Sequence, residues 1–161
     1  MFHEVYPQAL HFHGEHRMND RSFMHSVVPV IRWIDDRQTG RQRPIIYIGI
    51  ETMMDTWGRA VSSVQKTVRM LIERYQVMFV APAESSVPSQ YQQTTDWLAE
   101  YVGVPAWGHT VFTNRRDLLY GDYLISKQQE GDTMATLLEY GSDALKTWDD
   151  LHEYFLLLGG Q

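Results

Sequence analysis

The chain has 161 residues, 43% of them hydrophobic and 21% charged, with a formal net charge of −6. That is enough apolar material for one buried core, and it rules out a disordered chain. The absence of cysteine excludes disulfides, thiolate metal sites, iron–sulfur clusters and a cysteine nucleophile.

No apolar run approaches the length a membrane helix needs. The N-terminus, MFHEVYPQALHFHGEH, lacks the basic start and apolar stretch of a secretory signal. A cytoplasmic location is therefore expected, with no membrane partner, and the acidic balance argues against nucleic acid as a partner.

Charge divides the chain. Residues 1–44 carry six Arg, five acidic residues and five of the seven His, whereas residues 45–161 carry eight basic and fifteen acidic groups. The first stretch reads as an N-terminal extension that either packs on the core or forms an interface. It contains His11-Phe12-His13-Gly14-Glu15-His16. On a strand, His11 and His13 point the same way, and a turn that brings in Glu15 or His16 completes an N/O set suited to Zn²⁺ or Ni²⁺. The plainer reading is an exposed His-rich segment without metal; His3 and His25 carry less information. Val27 to Ile34 (VVPVIRWI) reads as a strand or as an apolar segment packed on the main body. Asp35 to Pro44 is an exposed connector, and its stretch RQTGRQR is either a soluble linker or a contact for an acidic partner.

From Ile45 the pattern becomes regular. Ile45 to Ile50 is a short continuous apolar run that fits a strand buried on both faces. Val61, Val64, Val68, Leu71, Ile72 and Tyr75 make one stripe of a helix over 58–74. Val77 to Ala81 is a second buried strand. Pro88 and Ser89 start a helix with Tyr91, Trp97, Leu98, Tyr101 and Val102 inward, and Gly103-Val104-Pro105 stops it. Strands follow at 109–113, 122–126 and 136–140. In the last helix Thr147 and Asp150 form a capping box, Trp148, Leu151, Tyr154, Phe155 and Leu158 form the stripe, and Gly159-Gly160 ends it.

This order implies an α/β sandwich on a mainly parallel five-stranded sheet with helices on both faces. Chemistry is then expected beyond the carboxyl ends of the strands. Most aromatic residues, including Trp57, Trp97, Trp148, Tyr91, Tyr101, Tyr120, Tyr123 and Tyr154, read as core. Trp33 and Trp107 lie off the helical stripes and are candidate interface anchors.

Three pieces, in order, carry a family resemblance. They are Phe112 to Ile125 (FTNRRDLLYGDYLI), Pro88 to Tyr101 with its Trp-Leu helix, and Tyr140-Gly141 followed by Trp148 to Tyr154. Over about 115 residues, Ile45 to Gly159, the chain resembles the 5′(3′)-deoxyribonucleotidases of the haloacid dehalogenase (HAD) superfamily. The resemblance implies a HAD-like Rossmannoid three-layer sandwich. It also implies a set of chemical positions: an aspartate nucleophile at the end of the first strand, an acid/base aspartate two residues later, a phosphate-binding Ser or Thr after the second strand, a downstream basic residue, and acids after the fourth strand for Mg²⁺.

Those positions fall on Gly49, Glu51, Ala81, Arg115 or Arg116, and Ser126-Lys127. Loss of a covalent nucleophile costs on the order of 10⁴- to 10⁶-fold in rate. The interval from Glu51 to Ala81 also leaves little room for a cap, so the cap is expected to be reduced or absent. A catalytically inactive protein that binds a protein partner is therefore expected, with no cofactor. Three alternatives compete. One is a nucleotide or phosphate sensor using Arg115, Arg116 and Glu51. Another is a divergent Mg²⁺-dependent phosphohydrolase using Glu51 and Asp55. The third is a metal-dependent hydrolase built on the N-terminal histidines. Lys127 is a candidate ion-pair partner for Glu51, and a homo-oligomer is compatible with all of these.

Overall fold

Short runs of Ile, Val and Phe cannot satisfy their backbone alone, so they pair and bury both faces. The computed structural model describes residues 40, 42–84, 86–127 and 132–159. Five strands form one sheet: β1 (Ile45–Gly49), β2 (Gln76–Ala81), β3 (Thr110–Phe112), β4 (Tyr123–Ser126) and β5 (Thr136–Glu139). Their order is β3-β2-β1-β4-β5, and every pair is parallel. This is the expected α/β, Rossmann-like HAD arrangement. The chain steps outward from β1 through β2 to β3, then returns to the other side of β1. The reversal places a crevice at the carboxyl ends of β1 and β4, where open sheets of this kind hold ligands.

Among the described residues three helices accompany the sheet: α1 (Val64–Arg74), α2 (Gln90–Trp97) and α3 (Trp148–Gly159). A π-helical turn, Leu98–Val102, extends α2 until Gly103 ends it in the left-handed region, where a glycine is favoured. Leu71, Leu98, Trp148, Leu151 and Phe155 from these elements join Ile46, Ile48, Phe79 and Ile125 in a single core cluster. Ile46 and Ile48 are fully buried, each stabilising the fold by about 1.5–3 kcal/mol. Below them Tyr75, Tyr123 and Phe155 meet edge-on, with centroids 5.5–6.3 Å apart.

The helix expected over 58–74 is longer than the α1 found. Asp55 accepts backbone hydrogen bonds from Trp57 (2.8 Å) and Arg59 (2.9 Å), and Met54 pairs with Ala60. These contacts close a tight hairpin that occupies residues 54–60. Gly58 at φ 72° and Ser63 at φ 69° turn the chain out of helical geometry before Val64. The hairpin fills the stretch between the end of β1 and α1. Trp57 stands at its tip, 80% exposed, and Tyr120 is 78% exposed, so neither is the core residue its type implies. Trp107 is also exposed, at the opposite end of the sheet just before β3.

At α3 the expected capping box is present. The Thr147 N–H donates to the Asp150 carboxylate at 2.9 Å, and the Asp150 N–H donates to the Thr147 hydroxyl at 3.3 Å. Thr147→Ala is expected to cost about 0.5–2 kcal/mol, read as a lower urea midpoint at unchanged slope.

The N-terminal extension, including His3, His11, His13, His16, His25, the Val27–Ile34 segment and Trp33, lies outside the described residues, as does Gly160. No helix among the described residues is long and apolar enough to cross a membrane.

Candidate functional site

The chain leaves β1 through one 3₁₀ turn, Ile50–Thr52. The turn is anchored twice: the Thr52 hydroxyl donates to the Gly49 carbonyl at 2.7 Å, and the Trp148 indole N–H donates to the Thr52 carbonyl at 2.8 Å. Thus the first residue of α3 holds the tip of β1. The turn sends the Glu51 side chain back over Gly49. A β-carbon built on Gly49 would lie 2.5 and 2.7 Å from the Glu51 carboxylate oxygens and 2.7 Å from Arg116 Nη1.

Arg116 opens a second 3₁₀ turn, Arg116–Leu118, after β3. Its side chain is only 8% exposed, against 28% for Glu51. It meets the carboxylate as a planar fork, with Nη1 donating to Oε1 at 2.6 Å and Nη2 to Oε2 at 2.9 Å. Such bidentate, charge-assisted pairs are the strong class of hydrogen bond. Ser126, at the end of β4, accepts from Arg116 Nη1 at 3.1 Å and donates to Glu51 Oε1 at 3.4 Å. The Lys127 backbone N–H also points at Oε1, at 3.4 Å.

The structure therefore brings together Gly49, Glu51, Arg116, Ser126 and the Lys127 backbone. The cation paired with Glu51 is Arg116, while the Lys127 ammonium lies 5.7 Å from the centroid of the Tyr140 ring. Arg115 faces elsewhere. It forks onto Asp117 with bonds of 3.0 and 2.7 Å, in solvent. Adjacent residues on a turn project differently, so the sequence pair Arg115-Arg116 splits into a surface ion pair and a buried one. Ala81 is buried at the end of β2, where its carbonyl accepts from the Thr113 N–H at 2.9 Å. Beyond it, Asn114 pairs through its side-chain amide with both backbone groups of Ala83, at 2.9 and 3.0 Å. Asp55 spends its carboxylate on the hairpin backbone. Those N–H groups, that of Arg59 foremost, hold it below its ordinary value.

Burial pushes the Glu51 carboxyl up. The Arg116 hydrogen bonds and charge, with backbone N–H groups, outweigh that and hold it below the usual glutamate value. The sign follows. The pair's contribution is fully present above about pH 4.3, the ordinary glutamate pKa, and is lost as pH falls through the lower folded value. Urea midpoints measured downward from pH 6 are expected to drop more steeply in wild type than in Glu51→Gln. Parallel acid limbs would remove Glu51 from the account.

No protein-family model matches the chain. Curated relatives do. The chain is 31% identical over 103 residues to a Staphylococcus aureus (strain Mu50) protein named "Putative 5'(3')-deoxyribonucleotidase". It is 28% identical over 102 residues to the Staphylococcus epidermidis (strain ATCC 12228) protein of the same name. The matches cover 57% and 56% of this chain and the same shares of the two relatives, so the chain spans little more than half the length of the curated relatives it matches. This similarity and the parallel sheet support a HAD-like deoxyribonucleotidase relationship.

Proposed function

We propose that this relative of the deoxyribonucleotidases holds the fold without the phosphoryl-transfer reaction and acts by binding a protein partner. One observation carries the reading. Where the resemblance implies an attacking carboxylate, Gly49 has no side chain, and the space such a side chain needs is filled by the Glu51–Arg116 pair.

The resemblance also implies Mg²⁺, and the residues present do not fit it. Mg²⁺ takes near-octahedral oxygen ligands. Here both oxygens of Glu51, the acidic side chain that the described residues place at the tip, already accept from a guanidinium, and Ser126 and Lys127 add donors. Among the described residues, no group of three or more His, Asp or Glu is placed to hold a metal ion.

The same geometry favours a partner role over an anion sensor. Both candidate anion-binding arginines, Arg115 and Arg116, are forked onto carboxylates of the chain itself. A partner approaching the carboxyl ends of the strands meets Trp57 on the hairpin that follows β1, and exposed tryptophans are favoured binding anchors.

The test is phosphate release from deoxynucleoside 5′- and 3′-monophosphates and from p-nitrophenyl phosphate, with Mg²⁺ or Mn²⁺. Release at the level of a mock purification is expected. Metal-dependent release that Glu51→Ala abolishes overturns the proposal.

A further inference from the structure

We infer that the Arg116 guanidinium is a built-in cation at the tip of β1, standing in for a divalent ion, so that the Glu51 carboxylate is neutralised from within the chain and blind to Mg²⁺. The inference rests on the proposed relationship of this site to a phosphoryl-transfer site, but it concerns cation binding rather than turnover.

Three observations carry it. First, the cation is the right shape for its carboxylate. Two donors on one plane meet two acceptors at 2.6 and 2.9 Å, a match that a lysine ammonium cannot reproduce. Second, the cation is inside. Arg116 is 8% exposed and is held by Ser126 Oγ at 3.1 Å as well. Third, the pair lies between the tips of β1 and β4. Its atoms approach within 2.5–2.7 Å of where a residue-49 side chain would begin, and the β4-end residues Ser126 and Lys127 contact the same carboxylate oxygen.

The physics then discriminates between cations. Mg²⁺ gives up its water reluctantly and needs several oxygen ligands. Among the described residues the tip offers it the Glu51 carboxylate, already neutralised and met by further donors, so it gains little there. A guanidinium stays charged at every accessible pH. Tethered to the chain, it also meets the carboxylate intramolecularly, at an effective concentration that does not change with the solution. The charge of the tip is then independent of cellular cation levels, unlike a site that must load a metal.

Thermal unfolding of the full chain tests this. The wild-type melting temperature is expected to be the same in MgCl₂ and in EDTA. Arg116→Ala is expected to melt lower and to recover most of the loss in methylguanidinium, at concentrations that leave wild type unchanged, with Mg²⁺ restoring less. A wild-type melting temperature raised by Mg²⁺, with the rise gone in Glu51→Gln, overturns the inference. So does a folded Arg116→Ala protein that is indifferent to methylguanidinium. If Arg116→Ala does not fold, Arg116→Lys decides. It keeps a cation without the fork, so it is expected to melt lower than wild type and to remain unmoved by Mg²⁺, and stabilisation by Mg²⁺ overturns the inference. Phosphate release by a Mg²⁺-blind wild type would sink the proposed function alone, and Mg²⁺ stabilisation without phosphate release would sink this inference alone.

Discussion

Glu51→Ala is expected to destabilise the fold by about 3–5 kcal/mol, the range for leaving one member of a buried ion pair uncompensated. Arg116→Met is expected to cost less, about 1–3 kcal/mol. The asymmetry comes from exposure. Without Glu51, a guanidinium that is 8% exposed keeps the Ser126 hydroxyl as its neighbour but loses the counter-charge that Glu51 supplied. Without Arg116, a carboxyl that is 28% exposed still reaches water and can take up a proton. The double variant Glu51→Ala/Arg116→Met should lose less than the sum of the singles, with a coupling of about 0.5–3 kcal/mol. Urea unfolding followed by tryptophan fluorescence measures all four corners of the cycle. Strict additivity would mean that the two side chains do not form the pair described.

The second large effect is at Gly49. Its backbone, at φ −64° and ψ 125°, suits any L-residue. Conformation alone therefore predicts that Gly49→Ala stabilises slightly, by about 0.4–1 kcal/mol. Space predicts the opposite. A β-carbon would sit 2.5–2.7 Å from three charged atoms, and overpacking of this kind costs about 1–3 kcal/mol. Gly49→Asp adds a second negative group against Glu51 and is expected to reach about 3–5 kcal/mol by breaking the pair. Because the crowded atoms are the ends of two side chains, the cost should vanish when they are trimmed. Gly49→Ala in the Glu51→Ala/Arg116→Met background is expected to be neutral or stabilising. An undiminished cost there would point to the backbone and refute the steric reading.

The strands were legible because each is a compact apolar run flanked by Pro, Gly or polar residues, as at Ile45–Gly49 and Gln76–Ala81. The capping box at Thr147 was legible because both partners lie within one turn. The start of α1 was not. Val61 continues the helical stripe in register, but the turn built on Asp55 and Gly58 overrides the periodicity. The tip of β1 was legible in part. The sequence placed Gly49, Glu51 and Ser126 at strand ends, where the topology gathers them. It did not show which basic residue answers Glu51. The partner lies 65 positions away, and nothing in Arg115-Arg116-Asp117 distinguishes the arginine that turns inward from the one that takes the neighbouring aspartate. Lys127, next to Ser126, was the natural choice by proximity along β4, yet its backbone rather than its ammonium meets the carboxylate.

Thr52 has a wider consequence. Its hydroxyl fastens the last carbonyl of β1, and its own carbonyl takes the indole proton of Trp148. The innermost strand and the final helix are thus clasped through one buried residue. Fluctuations that free the clasp expose both elements together, so the molecule's two most distant segments along the described chain belong to a single cooperative opening unit rather than fraying independently.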